Sequence, residues 1–177
     1  AYKEDQVIME CVHSCMQQLY PKDKYDIVVI SDRMEEETNM SLSALPVKLV
    51  KVFFGNSTKA KALNYAMEQI GDSYDIAVVL DADNVIYPDF LNEMNNIFSE
   101  SHVQIVQAHR KAKNLNTNLS ILDAVSEEIN NSIFRLGHAR VGLSAALIGS
   151  GMAFDYPLFK DIMLTIDATL RNLLFCV

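Results

Sequence analysis

Two aspartates one residue apart, Asp81 and Asp83, directly follow the apolar run Ile76-Ala77-Val78-Val79-Leu80. A short continuous apolar run bounded by polar residues reads as a strand buried on both faces. In open α/β sheets, ligands bind just beyond the C-terminal ends of such strands. Carboxylates placed there offer hard oxygen ligands to Mg²⁺ or Mn²⁺, and the metal can in turn hold a phosphate. The chemistry this pair supports is therefore metal-assisted work on a phosphorylated compound. Taken alone the pair is a weak signal, because a solvated turn after a strand has the same composition. Its place after a wholly apolar strand is what gives it weight.

The elements around the pair must position it. Val7, Cys11, Cys15 and Leu19 recur at helical spacing, and Pro21 ends that helix. Residues 25–31 (YDIVVIS) read as a buried strand that delivers Asp32, and 33–43 as a polar loop with three successive glutamates. Residues 48–54 form another strand. Gly55-Asn56-Ser57 then breaks the chain and caps a helix over about 58–70, with Leu63, Met67 and Ile70 as its apolar stripe. Beyond the acidic pair, Pro88 opens a helix with Leu91, Met94 and Phe98 inward. Residues 103–108 read as a strand and 110–118 as a basic loop. A long helix follows over 120–136, with Ile121, Val125, Ile129 and Ile133 in register and Gly137 as its stop. Residues 145–148 lead into Gly149-Ser150-Gly151, and Asp155 with Pro157 starts a last helix. Strands alternating with helices predict an α/β fold, a mostly parallel, Rossmann-like sheet with helices on both faces. Asp32 and the Asp81/Asp83 pair then share the sheet edge where the crevice belongs.

Bulk properties exclude several classes. The chain has 177 residues, 50% hydrophobic and 21% charged, which fits one folded domain rather than a disordered segment. Its net charge of −8 argues against a nucleic-acid-coating surface. It does not forbid an anionic ligand, since a metal and a few cations can reverse the field locally. Three cysteines, Cys11, Cys15 and Cys176, give no disulfide framework and fit a reducing, cytoplasmic setting. Cys11 and Cys15 share a helix face but His13 does not, so they read as small core residues rather than metal ligands. No apolar run approaches the ~18 residues that span a bilayer.

Further pieces occur in order with the acidic pair. They are Ala1-Tyr2-Lys3-Glu4-Asp5, Val28-Val29-Ile30-Ser31-Asp32, Lys59-Ala60-Lys61-Ala62-Leu63-Asn64 and Gly149-Ser150-Gly151-Met152-Ala153-Phe154. Together they resemble family 2 glycosyltransferases of the GT-A fold, the group that includes cellulose, chitin and hyaluronan synthases. The resemblance covers nearly the whole chain. It implies that residues 1–177 are a single GT-A-like catalytic domain, a fragment of a longer protein. It implies inverting transfer of a sugar from a nucleoside-diphosphate donor, UDP-linked, to a hydroxyl of a glycan or lipid-linked acceptor. Ala1, Tyr2 and Glu4 match the strand end and loop that touch the nucleotide base, and Asp32 the acid that recognises uracil or ribose. Lys59 matches the basic residue near the nucleotide. Asp81 and Asp83 match the acidic pair, with Asp83 above all the ligand of Mn²⁺ or Mg²⁺ on the diphosphate. Gly149, Ser150 and Gly151 match the small-residue segment lining the sugar and acceptor pocket. The implied parent protein works at the cytoplasmic face of a membrane that it reaches only through segments outside this chain.

The pattern also departs from the family. The catalytic base, an Asp in a later acidic motif, and an acceptor-binding Gln-x-x-Arg-Trp are expected beyond Val177; the chain contains no Trp. A catalytically incomplete nucleotide-sugar-binding domain is therefore an open alternative. Leu80-Asp81-Ala82-Asp83-Asn84-Val85 also fits the Asp-x-Asp-x-Val motif of haloacid-dehalogenase-like phosphatases, with Asp81 as nucleophile. The only Gly-Asp, Gly71-Asp72, lies on the wrong side for that family's second motif. A nucleotidyltransferase would use a similar metal-binding acid but needs a Gly-rich phosphate loop.

Overall fold

Strands are delivered to the site by short, strongly apolar segments, and each is followed by a helix whose start is marked by a polar residue. The computed structural model describes residues 1–113, 116–140, 142 and 147–169. In order these form α1 (Ile8–Met16), β1 (Val28–Asp32), α2 (Glu36–Ser43), β2 (Lys48–Val52), α3 (Lys59–Ile70), β3 (Ile76–Val79) and α4 (Phe90–Glu100). Then come β4 (Ile105–Gln107), α5 (Asn118–Ile129), a π-helical stretch Asn130–Gly137, α6 (His138–Arg140), β5 (Met152–Asp155) and α7 (Tyr156–Thr169). Cys176 and the start of the 145–148 approach lie outside the described residues.

The expected α/β class is what forms, with both kinds of strand pairing. β1 and β2 pair in parallel, from Val28↔Lys48 to Asp32↔Val52. Tyr2 adds a parallel bridge to Asp32. β5 lies between β3 and β4 and runs antiparallel to both. A fully buried Ala153 sits at its centre. Among the described residues no ladder joins β1 to β3. Instead a cavity of about 1360 Å³ runs between them, lined by Val28 and Ile30 on one side and Ile76 and Val78 on the other.

Two apolar clusters hold these units. Ile8, Val12, Val29, Met34 and Leu42 join α1, β1 and α2. Met67, Val79, Phe154, Tyr156, Phe159 and Met163 join α3, β3, β5 and α7, with Phe154 stacked on Phe159 at 4.6 Å.

Five local expectations are revised. Residues 33–43 are not a loop throughout, since α2 occupies 36–43. Glu36 and Glu37 favour its positive N-terminal end, while Leu42 is fully buried and Asn39 nearly so. With so few inward residues over eight, periodicity could not reveal it. The strand before the acidic pair ends at Val79, and of its residues only Val79 is buried, because the cavity opens along β3. Thr58, rather than the three residues before it, caps α3, its hydroxyl accepting from Lys61 N at 3.2 Å. Gly137 does not stop the long helix. Its φ is not positive, and the chain winds through π-helical turns into α6. The stripe Ile121, Val125, Ile129 and Ile133 is exposed rather than packed.

Candidate functional site

Asp32 ends β1, and Asp81 and Asp83 follow β3, so the strands bring all three acids to one cavity as their order predicts. Ala1, Tyr2, Glu4 and Lys59 line the same cavity. The Ala1 nitrogen donates to Ile30 O at 2.7 Å, and Asp32 N donates to Ala1 O at 2.9 Å. Residues 1–4 are thereby laid against the end of β1. Tyr2 is half exposed beside Asp32.

Asp32 is 3% exposed. Its Oδ2 accepts a short hydrogen bond from the Ser57 hydroxyl, while Oδ1 is buried with no partner. A buried acceptor left unsatisfied is costly, and such a group in a cavity wall is fitted to a donor from a ligand. Ser57 is a site residue that the sequence did not single out beyond a turn. The only signal available was its position between a Gly-Asn break and the true cap, Thr58.

Lys59 lies in the first turn of α3 and crosses the site. Its ammonium donates to Asp81 Oδ1 at 2.6 Å and to the Gly149 carbonyl. That places a cation beside the acidic pair and ties the Gly149-Ser150-Gly151 segment to it. Gly149 and Gly151 have φ of +83° and +66°, in the left-handed region where a side chain is strained. None of Gly149, Ser150 and Gly151 lines the cavity, and Ser150, between the glycines, is fully buried and turned toward the acidic turn. Asp81 N donates to its Oγ at 2.7 Å, and its hydroxyl donates to Asn84 Oδ1.

The acidic turn is also held from α1 and the residues just after it. Cys11 Sγ lies 3.6 Å from Asp81 O, Ile86 N donates to Ser14 Oγ at 3.2 Å, and the buried Gln18 bonds Tyr87 O and Leu91 N. The Cys11 thiol is pushed well up, first by its hydrogen bond with Cys15 and then by burial. It therefore stays a protonated donor. The same pairing pulls Cys15 down. His109, at the end of the strand β4 segment, pairs with Glu128 at 2.9 Å.

Among the described residues no three His, Cys, Asp or Glu side chains converge on a metal-ligating point. A divalent ion at Asp81 and Asp83 must therefore draw its other ligands from a phosphate and water. Mg²⁺ accepts that arrangement, bound by one or two carboxylates plus substrate phosphates. Asp83 is exposed and open to such an ion, whereas Asp81 Oδ1 is held by the Lys59 ammonium.

The family model for glycosyltransferase like family 2 matches residues 1–177. The chain belongs to this family. The mannosyltransferase PcManGT of Pyrobaculum calidifontis, solved with GDP-Man and Mn²⁺, matches 92% of the chain at 21% identity and a TM-score of 0.68. S. aureus TarS 1–349 in complex with UDP matches 92% at 16% identity and a TM-score of 0.64. Glucosyl-3-phosphoglycerate synthase of Mycobacterium tuberculosis, solved with UDP, matches 96% at 17% identity and a TM-score of 0.59. At these identities the likeness establishes a shared GT-A fold. The chain spans 44%, 46% and 64% of these three proteins, respectively. No curated protein sequence matches it. Family membership decides against the phosphatase and nucleotidyltransferase readings. Among the described residues no helix is long and apolar enough to cross a membrane.

Proposed function

We propose that this family 2 glycosyltransferase domain binds a UDP-sugar and supports inverting transfer of the sugar to a hydroxyl of a glycan or lipid-linked acceptor. The observation that carries the reading is the cavity wall itself. One rim presents a buried, half-satisfied carboxylate, Asp32, and the other presents Lys59, Asp81 and Asp83. A nucleoside diphosphate has the matching polarity, with N–H and O–H donors at one end and negative charge at the other. Asp32 Oδ1 accepts from the base or ribose, and residues 1–4 flank that end. Asp83, with Asp81, would hold Mn²⁺ or Mg²⁺ at the diphosphate end. The bound ion would neutralise charge that develops on the leaving group without needing a proton. Lys59 adds a point charge to the same end. The glycines at 149 and 151 let backbone approach the sugar.

Inversion requires a base opposite the leaving group, so that the acceptor oxygen attacks in line. Asp81 and Asp83 are committed to the diphosphate side and do not serve. For the base, the resemblance implies an Asp of the family's later acidic motif. The whole protein is placed at the cytoplasmic face of a membrane, a reading that rests on its resemblance to the polymer synthases.

Calorimetric titration of UDP, with GDP as comparator, tests the reading in the presence and absence of Mn²⁺. UDP binding that Mn²⁺ strengthens, with that gain lost in Asp83→Ala, supports it. Binding indifferent to both, or none to folded protein, overturns it. Preference for GDP would reassign the base.

A further inference from the structure

The hydrogen bonds around the acidic turn run in one direction. Asp81 N–H donates to Ser150 Oγ at 2.7 Å, the Ser150 hydroxyl donates to Asn84 Oδ1, and Asn84 Nδ2 donates to Asp83 Oδ1 at 3.0 Å. Each polarity fixes the next. The Ser150 hydroxyl gives its proton to the Asn84 carbonyl while its oxygen accepts from Asp81 N–H. That leaves the amide nitrogen of Asn84 facing Asp83, where only a donor is accepted by a carboxylate. A further bond, Asn84 N to Asp81 O at 3.1 Å, closes the turn. Ser150 is itself fixed in depth, because it is fully buried and Gly151 N donates to Val79 O at 2.9 Å at the end of β3.

We infer that Ser150 and Asn84 are positioning residues that aim the Asp83 carboxylate at the divalent cation. The inference rests on the donor-site reading above. Ligating carboxylates are commonly oriented by hydrogen bonds from a surrounding shell, and loss of such a partner typically weakens metal binding about 10- to 100-fold. An exposed Asp83 on a turn would otherwise sample several rotamers. Asn84 holds one oxygen, and Ser150 holds Asn84 from the buried side. The arrangement also explains why a serine lies between two glycines of positive φ. The backbone there must turn inward to bring a hydroxyl under the acidic turn.

The test separates metal affinity from nucleotide affinity. Mn²⁺ binding is followed by the loss of its free-ion paramagnetic resonance signal at saturating UDP, and metal-free UDP binding by calorimetry. Asn84→Ala is expected to weaken Mn²⁺ about tenfold or more while leaving metal-free UDP affinity unchanged. Ser150→Ala is expected to do the same to a smaller extent. The double variant is expected to be no worse than Asn84→Ala, because the two act in series. Asn84 is only half buried, so its variant keeps the experiment readable where the Ser150 variant fails to fold. Mn²⁺ affinity within twofold of wild type in Asn84→Ala overturns the inference, as does a parallel fall in both affinities, which marks a structural role. Failure of the wild-type chain to bind Mn²⁺ with UDP overturns the donor-site reading and this inference with it, and that outcome is distinct from a silent variant.

Discussion

Lys59 makes the most direct claim at the scale of single residues. Its ammonium spans Asp81 and the Gly149 carbonyl, so it links the acidic pair to the Gly149-Ser150-Gly151 segment. The two side chains of the ion pair are 41% and 43% exposed, so water screens it and its worth to stability is below about 1 kcal/mol. Against a diphosphate the same charge makes charge-assisted hydrogen bonds that are stronger. Lys59→Ala is therefore expected to weaken UDP binding about tenfold or more, while moving the urea midpoint little. Calorimetry and urea unfolding on the same preparation check both halves. An unchanged UDP affinity would remove Lys59 from the site. Asp32 and Ser57 form the complementary polar group across the cavity, where Asp32 Oδ1 is buried with no hydrogen-bond partner.

At the scale of elements, the question is what holds the β1–β2 pair near β3 when no ladder among the described residues joins them. Part of the answer is a polar clasp ahead of the strands. Lys48, opening β2, pairs with Asp26 at 2.9 Å, and the Tyr74 hydroxyl, just before β3, donates to Asp26 at 2.6 Å. Tyr74 in turn packs edge-on against Tyr156 of α7 at 5.6 Å. The Tyr74 hydroxyl, and then Lys48, hold the Asp26 carboxyl below the usual carboxylate range. A depressed folded-state value means that the unfolded chain takes up this proton first as pH falls. The clasp therefore stabilises the fold above the ordinary carboxylate range and ceases to do so as pH drops through the lowered value. Asp26→Asn is expected to cost below about 1 kcal/mol near neutral pH, with the difference from wild type vanishing in acid. Urea midpoints across pH check this; a difference that persists or grows in acid would contradict it.

At the scale of the whole molecule, the cavity is the dominant feature. It runs from the acid-lined mouth between β1 and β3, so the site lies where the fold is least continuous. A ligand that bridges Asp32 on one side and Asp83 on the other would bind only the folded arrangement. UDP with Mn²⁺ at a hundred times its dissociation constant then stabilises by about 2.7 kcal/mol. For a chain of this size that is a rise of roughly 5 to 10 °C in unfolding temperature. A thermal-shift titration checks it. The rise should shrink in Asp83→Ala and be absent with Mn²⁺ alone at the same concentration.

The sequence by itself determined the strands that deliver acids, because an apolar run followed by Asp32 or Asp81 is a local pattern with a local cause. It determined α1, α3 and α4 for the same reason, since helical periodicity is written in neighbouring residues. The ordered motifs carried the family. Tertiary structure decided what those residues touch. Asp81 and Ser150 are 69 positions apart, and nothing near either foretells that Ser150 turns inward to meet the acidic turn. Asp32 meets Ser57 across 25 positions, and Lys59 meets Gly149 across 90. The helix α2 stayed hidden because one buried leucine makes no period, and the long helix ran past Gly137 because a glycine permits a left-handed stop without imposing one. Local pattern fixes where a chain can bend and which face it buries, whereas side-chain hydrogen bonds between distant segments form only once packing has brought the segments together.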